Sequence, residues 1–244
     1  MDSTQESIGL RTFTKQLNIL LTYYTTIMNI IKQSVTLMQT PKNIATILEF
    51  AARTCTGTVA KMATGSTMDS EEFVKRVVMA RKHYSVLEHV SFTFELITTR
   101  AIANQIVRHR MAAYCQESMR YVRMDRKTGG LPVIAPYQFD NWPEEAKKLW
   151  LEAIQVSEDN YMDLLKMKIK AEDARGVLPL DTATVLVATW NLRELLHILY
   201  HPVSGRCTNS HAQPQTRQLF ALLEEEIKRV PFAYELCEIY KETN

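Results

Sequence analysis

Residues 104–123 read NQIVRHRMAAYCQESMRYVR, and this stretch places more cations and hydrogen-bond donors between two apolar segments than any other part of the chain. Its candidate binding residues are Arg108, His109, Arg110, Ser118, Arg120 and Arg123. Glu117 is the only acid in the stretch. Guanidinium groups beside a serine suit a phosphate or another planar anion. Taken alone, however, such a cluster more often marks a solvated basic surface.

The residues before this stretch predict a strand followed by a helix. Residues 90–97 (VSFTFELI) alternate between apolar and polar side chains, which is typical of a half-buried strand. Residues 98–114 then predict a helix. On that helix Gln105, Arg108 and His109 are three or four positions apart, so we expect them to share one face.

The residues after the bend predict a second binding surface. Gln116, Ser118 and Arg120 fall at a period of two, so all three point the same way if this segment is extended. We therefore expect the helix face and the extended segment to converge on a single ligand.

Outside this stretch, hydrophobic periodicity predicts one more strand and several helices. The strand covers residues 34–39. The helices cover residues 41–53, a segment that begins at Ser70, residues 143–170, residues 182–200, residues 210–230 and a short segment after Pro231. Residues 128–136 contain two glycines and two prolines and predict a loop.

The composition excludes several classes of protein. The 244 residues carry a net charge of +2, which gives no global field that would attract nucleic acid or a membrane. The chain has no Gly-x-Gly-x-x-Gly or P-loop pattern, so we do not expect a Rossmann or Walker turn to hold a nucleotide. Cys55, Cys115, Cys207 and Cys237 form no Cys-x-x-Cys pair and indicate a reduced, cytoplasmic compartment.

Residues 1–33 are interpreted as an N-terminal extension that precedes one domain at residues 34–244. The apolar run at residues 17–31 contains Asn, Tyr and Thr and is too short to span a bilayer. Arg11 and Lys15 before this run imitate a signal peptide, but no clear cleavage site follows it.

A group of histidines and a cysteine allows a metal site as an alternative. His197 and His201 are one helical turn apart, and Cys207 and His211 follow them. Zinc sites on helices use this spacing, but no Glu follows His197 in the His-Glu-x-x-His manner. We therefore favour polar residues near an anion site and expect no metal. Cys115 and Cys207 lack the local motifs of nucleophilic cysteines.

Six elements, in order along the chain, resemble the flavin-dependent thymidylate synthases. Arg108-His109-Arg110, seven residues and Ser118 resemble the family's Arg-His-Arg-x7-Ser signature. The other elements are AARTC at 51–55, HYSVLEH at 83–89, RGVLPL at 175–180, Asn191-Leu-Arg193 with His197, and Arg206 followed by SHAQ at 210–213. Gln105 stands three residues before Arg108, as it does in the family. The resemblance covers residues 34–230.

This resemblance implies an α+β fold, in which a single catalytic domain has a central sheet wrapped by long helices. It also implies a homotetramer with sites at the subunit interfaces. The family transfers the methylene of methylenetetrahydrofolate to C5 of dUMP, and reduced FAD, regenerated by NADPH, supplies the hydride. We accordingly expect a cytoplasmic enzyme of dTMP biosynthesis that binds no nucleic acid and no membrane.

Carried over residue by residue, the resemblance assigns two sets of contacts. The expected FAD contacts are Ser85, Arg108, His109, Arg110, Gln116, Asn191, Arg193 and His197. The expected dUMP contacts are Gln105, Arg108, Gln116, Ser118, Arg120, Arg175 and Arg206. By analogy Arg206 is the expected catalytic residue, because its guanidinium would favour ionised N3 of the uracil and so activate C5.

The chain departs from the family pattern near the nucleotide. Cys115-Gln116 stands where the family commonly has Asn-Glu, Met119 replaces a glycine, and His197 replaces an asparagine. Residues 214–216 (PQT) replace the usual Trp-Glu-Ile. These differences leave two alternatives open beside dUMP methylation: a related methylase that acts on UMP, and an inactive homologue that binds nucleotide or flavin. A zinc-stabilised helical module is a third alternative.

Overall fold

The computed structural model describes residues 28–63, 68–124, 129–202, 205–207 and 211–243. Most of the predicted N-terminal extension therefore lies outside the described residues. Among the residues that are described, no helix combines the length and the apolar character needed to cross a membrane. The chain divides into two compact units. Unit 1 comprises the described part of Met1–Lys32 with Thr99–Ala101 and Glu117–Thr184, and unit 2 comprises Gln33–Thr98, Ile102–Gln116 and Val185–Asn244.

One four-stranded sheet runs through the fold, and almost all of it belongs to unit 2. Its strands are β1 Ser34–Gln39, β2 Ser91–Thr99, β3 Ala112–Gln116 and β4 Ala183–Asn191. They lie in the order β1-β2-β4-β3. β1 is antiparallel to β2 with Ser34 opposite Ile97, and β3 is antiparallel to β4 with Ala112 opposite Trp190.

Helices account for most of the remaining regular structure, so the predicted α+β class is confirmed. The α-helices of the described residues are α1 Ile44–Cys55, α2 Ala60–Ala63, α3 Ser70–Phe73, α4 Arg100–Ile106, α5 Glu144–Lys166, α6 Ala171–Ala174, α7 Leu192–Tyr200, α8 Pro214–Lys228 and α9 Pro231–Thr243. A π-helical turn, Val74–Met79, continues α3, and 3-10 helices cover Tyr84–His89, Phe139–Asn141 and Arg175–Val177. α5 follows Pro143 and α9 begins at Pro231, because proline is tolerated where a helix starts.

Unit 2 builds its core on alternate residues of β2 and β4. Phe92, Phe94 and Trp190 are fully buried, and the rings of Phe94 and Trp190 are 5.8 Å apart. Phe220 of α8 packs on the other side of Trp190, with ring centroids 6.5 Å apart. Each of these aromatic side chains removes a large apolar surface from water, which is the main favourable term in folding. The rigid sheet therefore fixes the ends of β3 and β4, where the candidate site begins.

Unit 1 has its own apolar core along α5. Leu151, Ile154 and Tyr161 of this helix are buried against Leu131 and Val133. The Tyr161 hydroxyl also accepts a hydrogen bond of 3.3 Å from the backbone N–H of Met124. This core therefore supports the loop that carries Ser118 and Arg120.

The helix predicted for residues 182–200 is wrong in its first half. Ala183–Asn191 form β4, and α7 begins only at Leu192. The strand sequence ATVLVATWN is rich in β-branched residues, which favour a pleated surface, and its burial alternates. The prediction extended the leucine periodicity of α7 too far towards the N-terminus.

The helix predicted for residues 98–114 is also too long. α4 ends at Ile106, and Ala112–Gln116 pair with β4 as a strand. Arg108 and His109 therefore lie beyond the helix, and the expectation that they share its face with Gln105 is wrong. The backbone leaves the helix because the carbonyl oxygens of Ile106 and His109 both accept from the Tyr114 hydroxyl, at 3.0 and 2.7 Å.

The extended segment predicted for Gln116, Ser118 and Arg120 is only partly present. β3 ends at Gln116, Ser118 follows it, and Arg120 lies in a turn. The backbone N–H groups of Tyr121 and Val122 donate to the Ser118 carbonyl oxygen at 3.1 and 2.9 Å, which closes this turn. The period-two alignment of the three side chains is therefore wrong beyond Gln116.

Candidate active site

Arg206, His109 and Glu194 form a chain of polar contacts in unit 2. Arg206 Nε donates a hydrogen bond of 3.2 Å to His109 Nε2, and His109 Nδ1 lies 3.6 Å from Glu194 Oε1. The side chains of His109 and Glu194 are only 11% and 13% exposed. Burial lowers the pKa of Arg206, although a guanidinium stays protonated at neutral pH. Within the described residues no carboxylate bonds Arg206 directly, so its charge is available to an outside anion.

Tyr114 holds the backbone of His109 in place. Besides donating to the carbonyl oxygens of Ile106 and His109, its hydroxyl oxygen accepts a hydrogen bond of 2.9 Å from Trp190 Nε1. Burial raises the pKa of Tyr114 to about 12, so the phenol is neutral and can donate at physiological pH. The fully buried Trp190 thereby connects the sheet core to the residue that contacts Arg206.

A cavity of about 340 Å³ lies at the start of α7. It is lined by Glu88, Met111, Asn191, Arg193, Glu194 and His197. Asn191 caps α7, because its side-chain oxygen accepts from the Glu194 backbone N–H at 2.8 Å. The guanidinium of Arg193 pairs with Glu88 across the exposed side of the cavity. Burial lowers the pKa of His197, so this ring is neutral at physiological pH.

Gln105 is held by two residues of the C-terminal part of the chain. Its Nε2 donates to Gln213 Oε1 at 2.8 Å, and its Oε1 accepts from the Thr216 hydroxyl at 3.2 Å. Thr216 is fully buried, and it occupies a position where the family pattern has an apolar residue. The amide of Gln105 therefore has a defined orientation.

Unit 1 contains a second group of charged residues around the loop after β3. The Ser118 hydroxyl oxygen accepts a hydrogen bond of 3.3 Å from the Arg120 backbone N–H. Arg120 Nε donates to a carboxylate oxygen of Glu172 at 2.6 Å, and Arg175 Nε donates to the Glu172 carbonyl oxygen at 3.0 Å. The Arg120 side chain is 57% exposed, so this ion pair contributes at most about 1 kcal/mol and can be exchanged for another anion.

Arg100 is the residue of this group that the sequence analysis missed. Its Nε and Nη2 atoms are buried and have no hydrogen-bond partner among the described residues. Burial has the largest effect and lowers the pKa of Arg100, Glu117 opposes this shift, and Arg175 adds to it. Buried nitrogen atoms without hydrogen-bond partners cost free energy, which a bound anion would recover. The available signal was an arginine inside the otherwise uncharged segment TTRAIA, directly after a strand.

The other predicted site residues occupy different surroundings. Ser85 is exposed on the 3-10 helix Tyr84–His89, and Arg108 and Arg110 are exposed after α4. These three do not line the cavity at α7. Gln116 is half-buried at the end of β3. The structure thus places Asn191, Arg193 and His197 around one cavity, and Ser85, Arg108 and Arg110 are not among its lining residues.

Two of the histidines considered as metal ligands, His197 and His201, contact each other with their ring planes tilted by 44°. The ring centroids of His197 and His201 are 4.7 Å apart. In the part of the chain that the structure describes, no group of three or more His, Cys, Asp or Glu side chains could hold a metal ion. The zinc alternative therefore finds no support in these residues.

Comparison with known proteins identifies relatives over most of the chain. A family model described as "Thymidylate synthase complementing protein" matches residues 36–231. A flavin-dependent thymidylate synthase of Clostridium tetani is 30% identical over 215 residues, which are 80% of this chain and 82% of the relative. That of Geobacter sulfurreducens is 39% identical over 133 residues, which are 54% of this chain. The aligned part spans little more than half of the Geobacter protein, 56% of its length.

The fold is similar to that of a solved UMP/dUMP methylase, PolB from Streptomyces cacaoi. Its structure bound with 5-Br dUMP has a TM-score of 0.68, covers 86% of this chain and is itself covered to 96%. The structure of the same protein bound with 5-Br UMP also has a TM-score of 0.68. The sequences are only 23% and 22% identical, so this likeness establishes a shared fold.

Proposed function

The chain belongs to the flavin-dependent thymidylate synthase family, and we propose that it converts dUMP to dTMP. In the proposed reaction the methylene of methylenetetrahydrofolate is transferred to C5 of the uracil, C5 loses its proton, and a hydride completes the methyl group. The observation that carries the proposal is the guanidinium of Arg100, in which Nε and Nη2 are buried without a hydrogen-bond partner among the described residues. An anion would supply these partners, and Arg100 lies in the unit that also holds Ser118, Arg120 and Arg175.

We assign the nucleotide phosphate to this group in unit 1. Glu117 attracts Arg100 and Arg175 repels it, and a bound phosphate would add negative charge that favours both guanidinium groups. Guanidinium groups bind phosphate through paired, charge-assisted hydrogen bonds, and the Ser118 hydroxyl can add another. Arg120 would exchange the Glu172 carboxylate for phosphate at small cost, because the pair is exposed.

We assign the pyrimidine ring to Arg206. Its guanidinium would stabilise negative charge on the ring when N3 loses its proton, which makes C5 more nucleophilic. Its described partner is a ring nitrogen and not a carboxylate, so its positive charge is not cancelled by the protein. Gln105, whose amide is oriented by Gln213 and Thr216, would fix the ring through its remaining hydrogen-bonding capacity.

The donors of the cavity at α7 fit part of an FAD molecule. Arg193 and the neutral His197 can contact a phosphate or a flavin carbonyl, and Asn191 closes the same wall. Glu88 would release Arg193 to that group, since both side chains are partly exposed, at 38% and 52%. When bound, reduced FAD supplies the hydride of the reaction, and NADPH is the proposed reductant. The chain's residues bind and orient the cofactor.

UMP is the second candidate substrate. Gln116 stands where the family commonly has a glutamate, so a neutral amide replaces an acid near the nucleotide. The solved protein of similar fold is a methylase of both UMP and dUMP. The two nucleotides differ only in the ribose 2′-hydroxyl, so the choice between them depends on a few polar contacts.

We further propose a cytoplasmic homotetramer. Large apolar side chains are exposed on unit 1, among them Leu149 at 67%, Val156 at 57% and Leu180 at 66%. Apolar residues of this size are frequently covered in oligomers. Light scattering on the purified protein would give a mass of about four chains, and a monomer would contradict the assembly.

Flavin retention and nucleotide turnover test the proposed function together. The protein should keep FAD through desalting, which shows as a flavin absorption band. Tritium should be released from C5-labelled dUMP when methylenetetrahydrofolate and NADPH are present. If tritium is released from C5-labelled UMP but not from dUMP, the substrate is UMP. A colourless protein with stoichiometric zinc would exclude both the dUMP and the UMP methylase.

A further inference from the structure

Glu194 is not among the residues that the family pattern assigns, but its carboxylate faces His109, the direct partner of Arg206. We propose that Glu194 is a positioning residue, which keeps His109 in the tautomer that orients the Arg206 guanidinium. This inference rests on the proposed role of Arg206. It concerns three side chains of unit 2 that all lie in the described part of the chain.

The tautomer of His109 follows from its contact with Arg206. Arg206 Nε carries a hydrogen and has no lone pair to accept with, so His109 Nε2 must be the acceptor of their 3.2 Å hydrogen bond. A neutral histidine that accepts at Nε2 carries its hydrogen on Nδ1. The opposite tautomer would turn two N–H groups towards each other and break this contact.

Glu194 favours the required tautomer because its carboxylate faces the other ring nitrogen. Glu194 Oε1 lies 3.6 Å from His109 Nδ1, and a negative charge at this distance attracts the Nδ1 hydrogen. Arg193, the cation that precedes Glu194 in α7, is already paired with Glu88. His197, which also interacts with Glu194, has its pKa lowered by burial and does not compete as a cation.

The backbones on both sides of this contact are fixed. Glu194 is held at its N–H by the side chain of Asn191, and His109 is held at its carbonyl oxygen by Tyr114. The α7 cap and the Tyr114 contacts therefore set the backbone positions from which the ring and the carboxylate meet. A small change in the Glu194 side chain should therefore alter the tautomer of His109 and, through it, the orientation of Arg206.

A neutral histidine partner affects the charge of Arg206 differently from a directly bonded carboxylate. A carboxylate bonded to Arg206 would orient the guanidinium but would also neutralise the charge that the uracil ring needs. A neutral imidazole orients the guanidinium and leaves that charge in place. The carboxylate of Glu194 acts one residue further away and sets only the position of a proton on His109.

Nitrogen NMR of the protein labelled with 15N-histidine tests the proposal, because protonated and unprotonated ring nitrogens have well separated shifts. His109→Gln identifies the His109 signals by their loss. In the wild-type holoenzyme at about pH 8, His109 should carry its hydrogen on Nδ1 and none on Nε2. In Glu194→Ala a second population with the hydrogen on Nε2 should appear. In Glu194→Gln, whose amide oxygen can still face Nδ1, the wild-type pattern should persist.

Kinetics on the same variants separate positioning from binding. Glu194→Ala should lower kcat about 10- to 100-fold and leave KM for dUMP nearly unchanged, whereas Glu194→Gln should recover most of kcat. Glu225→Ala is the control, because this exposed carboxylate of unit 2 pairs with Lys228, and it should leave the His109 signals unchanged.

Two NMR results would overturn the proposal: a wild-type His109 with its hydrogen on Nε2, or a Glu194→Ala variant with an unchanged tautomer. If the tautomer shifts as expected but the wild-type enzyme does not turn over dUMP, the positioning of His109 stands and the proposed function fails.

Discussion

Arg100 places two guanidinium nitrogens inside the fold without a hydrogen-bond partner among the described residues. A surface arginine would be solvated and a structural one would be paired, but the Nε and Nη2 atoms of Arg100 are buried and lack a partner among the described residues. Folding therefore bears the cost of desolvating part of this cation. Such a cost is expected at a binding site, where the ligand completes the pairing.

We predict that Arg100→Gln separates binding from stability. The affinity for dUMP should fall at least tenfold, whereas that for deoxyuridine, which has no phosphate, should not change. The stability of the ligand-free protein to urea should stay the same or rise, because two buried nitrogen atoms without hydrogen-bond partners are removed. Isothermal titration and urea unfolding measure the two effects. Lys166→Gln, which changes an exposed cation of the same unit, is the control, and a stability loss of several kcal/mol in Arg100→Gln would show a structural role.

The hydroxyl of Tyr114 joins Trp190 of the sheet core to the backbone of His109. Tyr114→Phe removes the donor to two carbonyl oxygens and leaves Trp190 Nε1 without its acceptor. We expect a loss of about 1–3 kcal/mol in the free energy of unfolding, measured with urea, because a buried donor is left unsatisfied. The exposed Tyr137 provides the control, since Tyr137→Phe should change stability by less than about 0.5 kcal/mol. If the two variants were equally stable, the Tyr114 hydroxyl would not stabilise the backbone at His109.

The cysteines divide into two reactivity classes. Cys55 and Cys115 are exposed, whereas burial raises the pKa of both Cys207 and Cys237 to about 12. Because the thiolate is the reactive form, N-ethylmaleimide at about pH 8 should modify Cys55 and Cys115 quickly and the other pair only after unfolding. Intact-mass analysis counts the adducts. Rapid modification of Cys237 in the native protein would contradict its burial.

The same pKa shifts predict loss of stability in alkali. The native protein keeps the protons of Cys207 and Cys237 between their ordinary pKa of 9.0 and about 12, so it binds more protons than the unfolded chain in this range. The stabilisation is complete below pH 9.0 and is lost as the pH rises towards 12. Tyr114, with its pKa raised from 10.0 to about 12, acts in the same direction.

At the scale of elements, α5 ends in a Schellman motif. The N–H of Lys168 donates to the Leu165 carbonyl oxygen and that of Ile169 to the Leu164 carbonyl oxygen, both at 3.0 Å. Lys168 takes a φ of 64°, which is costly for a residue with a side chain. The motif therefore carries backbone strain that glycine would relieve.

Lys168→Gly should accordingly stabilise the protein by up to about 1 kcal/mol. Lys168 is exposed, so the substitution removes no packing. Thermal unfolding of the variant measures the gain. Lys166→Gly, in the last helical turn of α5, is the matched control and should destabilise by about 1 kcal/mol. A loss of stability in Lys168→Gly would show that the side chain has a role there.

The alternation of apolar and polar residues and the positions of the prolines predicted several elements correctly. Residues 34–39 and 90–97 were recognised as strands, and Pro143 and Pro231 mark the starts of α5 and α9. The prediction failed at β4, whose pairing with β3 is distant in sequence, and at the end of α4, where a side-chain contact stops the helix. β4 is flanked by a leucine-rich helix whose period extends into it, and α4 ends where the Tyr114 hydroxyl bonds its last turn.

The residues of the candidate site were also predicted correctly only in part. Asn191, Arg193 and His197 were predicted on one element, and they line one cavity because the N-cap of α7 places them at its first turns. Arg100, Glu194 and Thr216 were missed, because each acquires its role from a partner that is distant in sequence or from burial. A local motif does not contain this information.

At the scale of the whole molecule, charge is concentrated and not spread. The net charge is only +2. Both compact units nevertheless contain arginines that have no carboxylate partner, or whose exposed ion pair can be exchanged for a ligand. Clustered positive charge in an otherwise balanced protein suits small anionic ligands better than an extended polyanion. This distribution supports a nucleotide and a flavin as the ligands of the protein.

Formation of dTMP is the most direct test of the central claim. The purified chain, loaded with FAD, is incubated with dUMP, methylenetetrahydrofolate and NADPH, and the nucleotides are separated and weighed by mass spectrometry. We predict a product heavier than dUMP by one methylene group in the complete mixture, and none when the folate, the reductant or FAD is omitted. Bound FAD and bound dUMP without any dTMP would contradict the account.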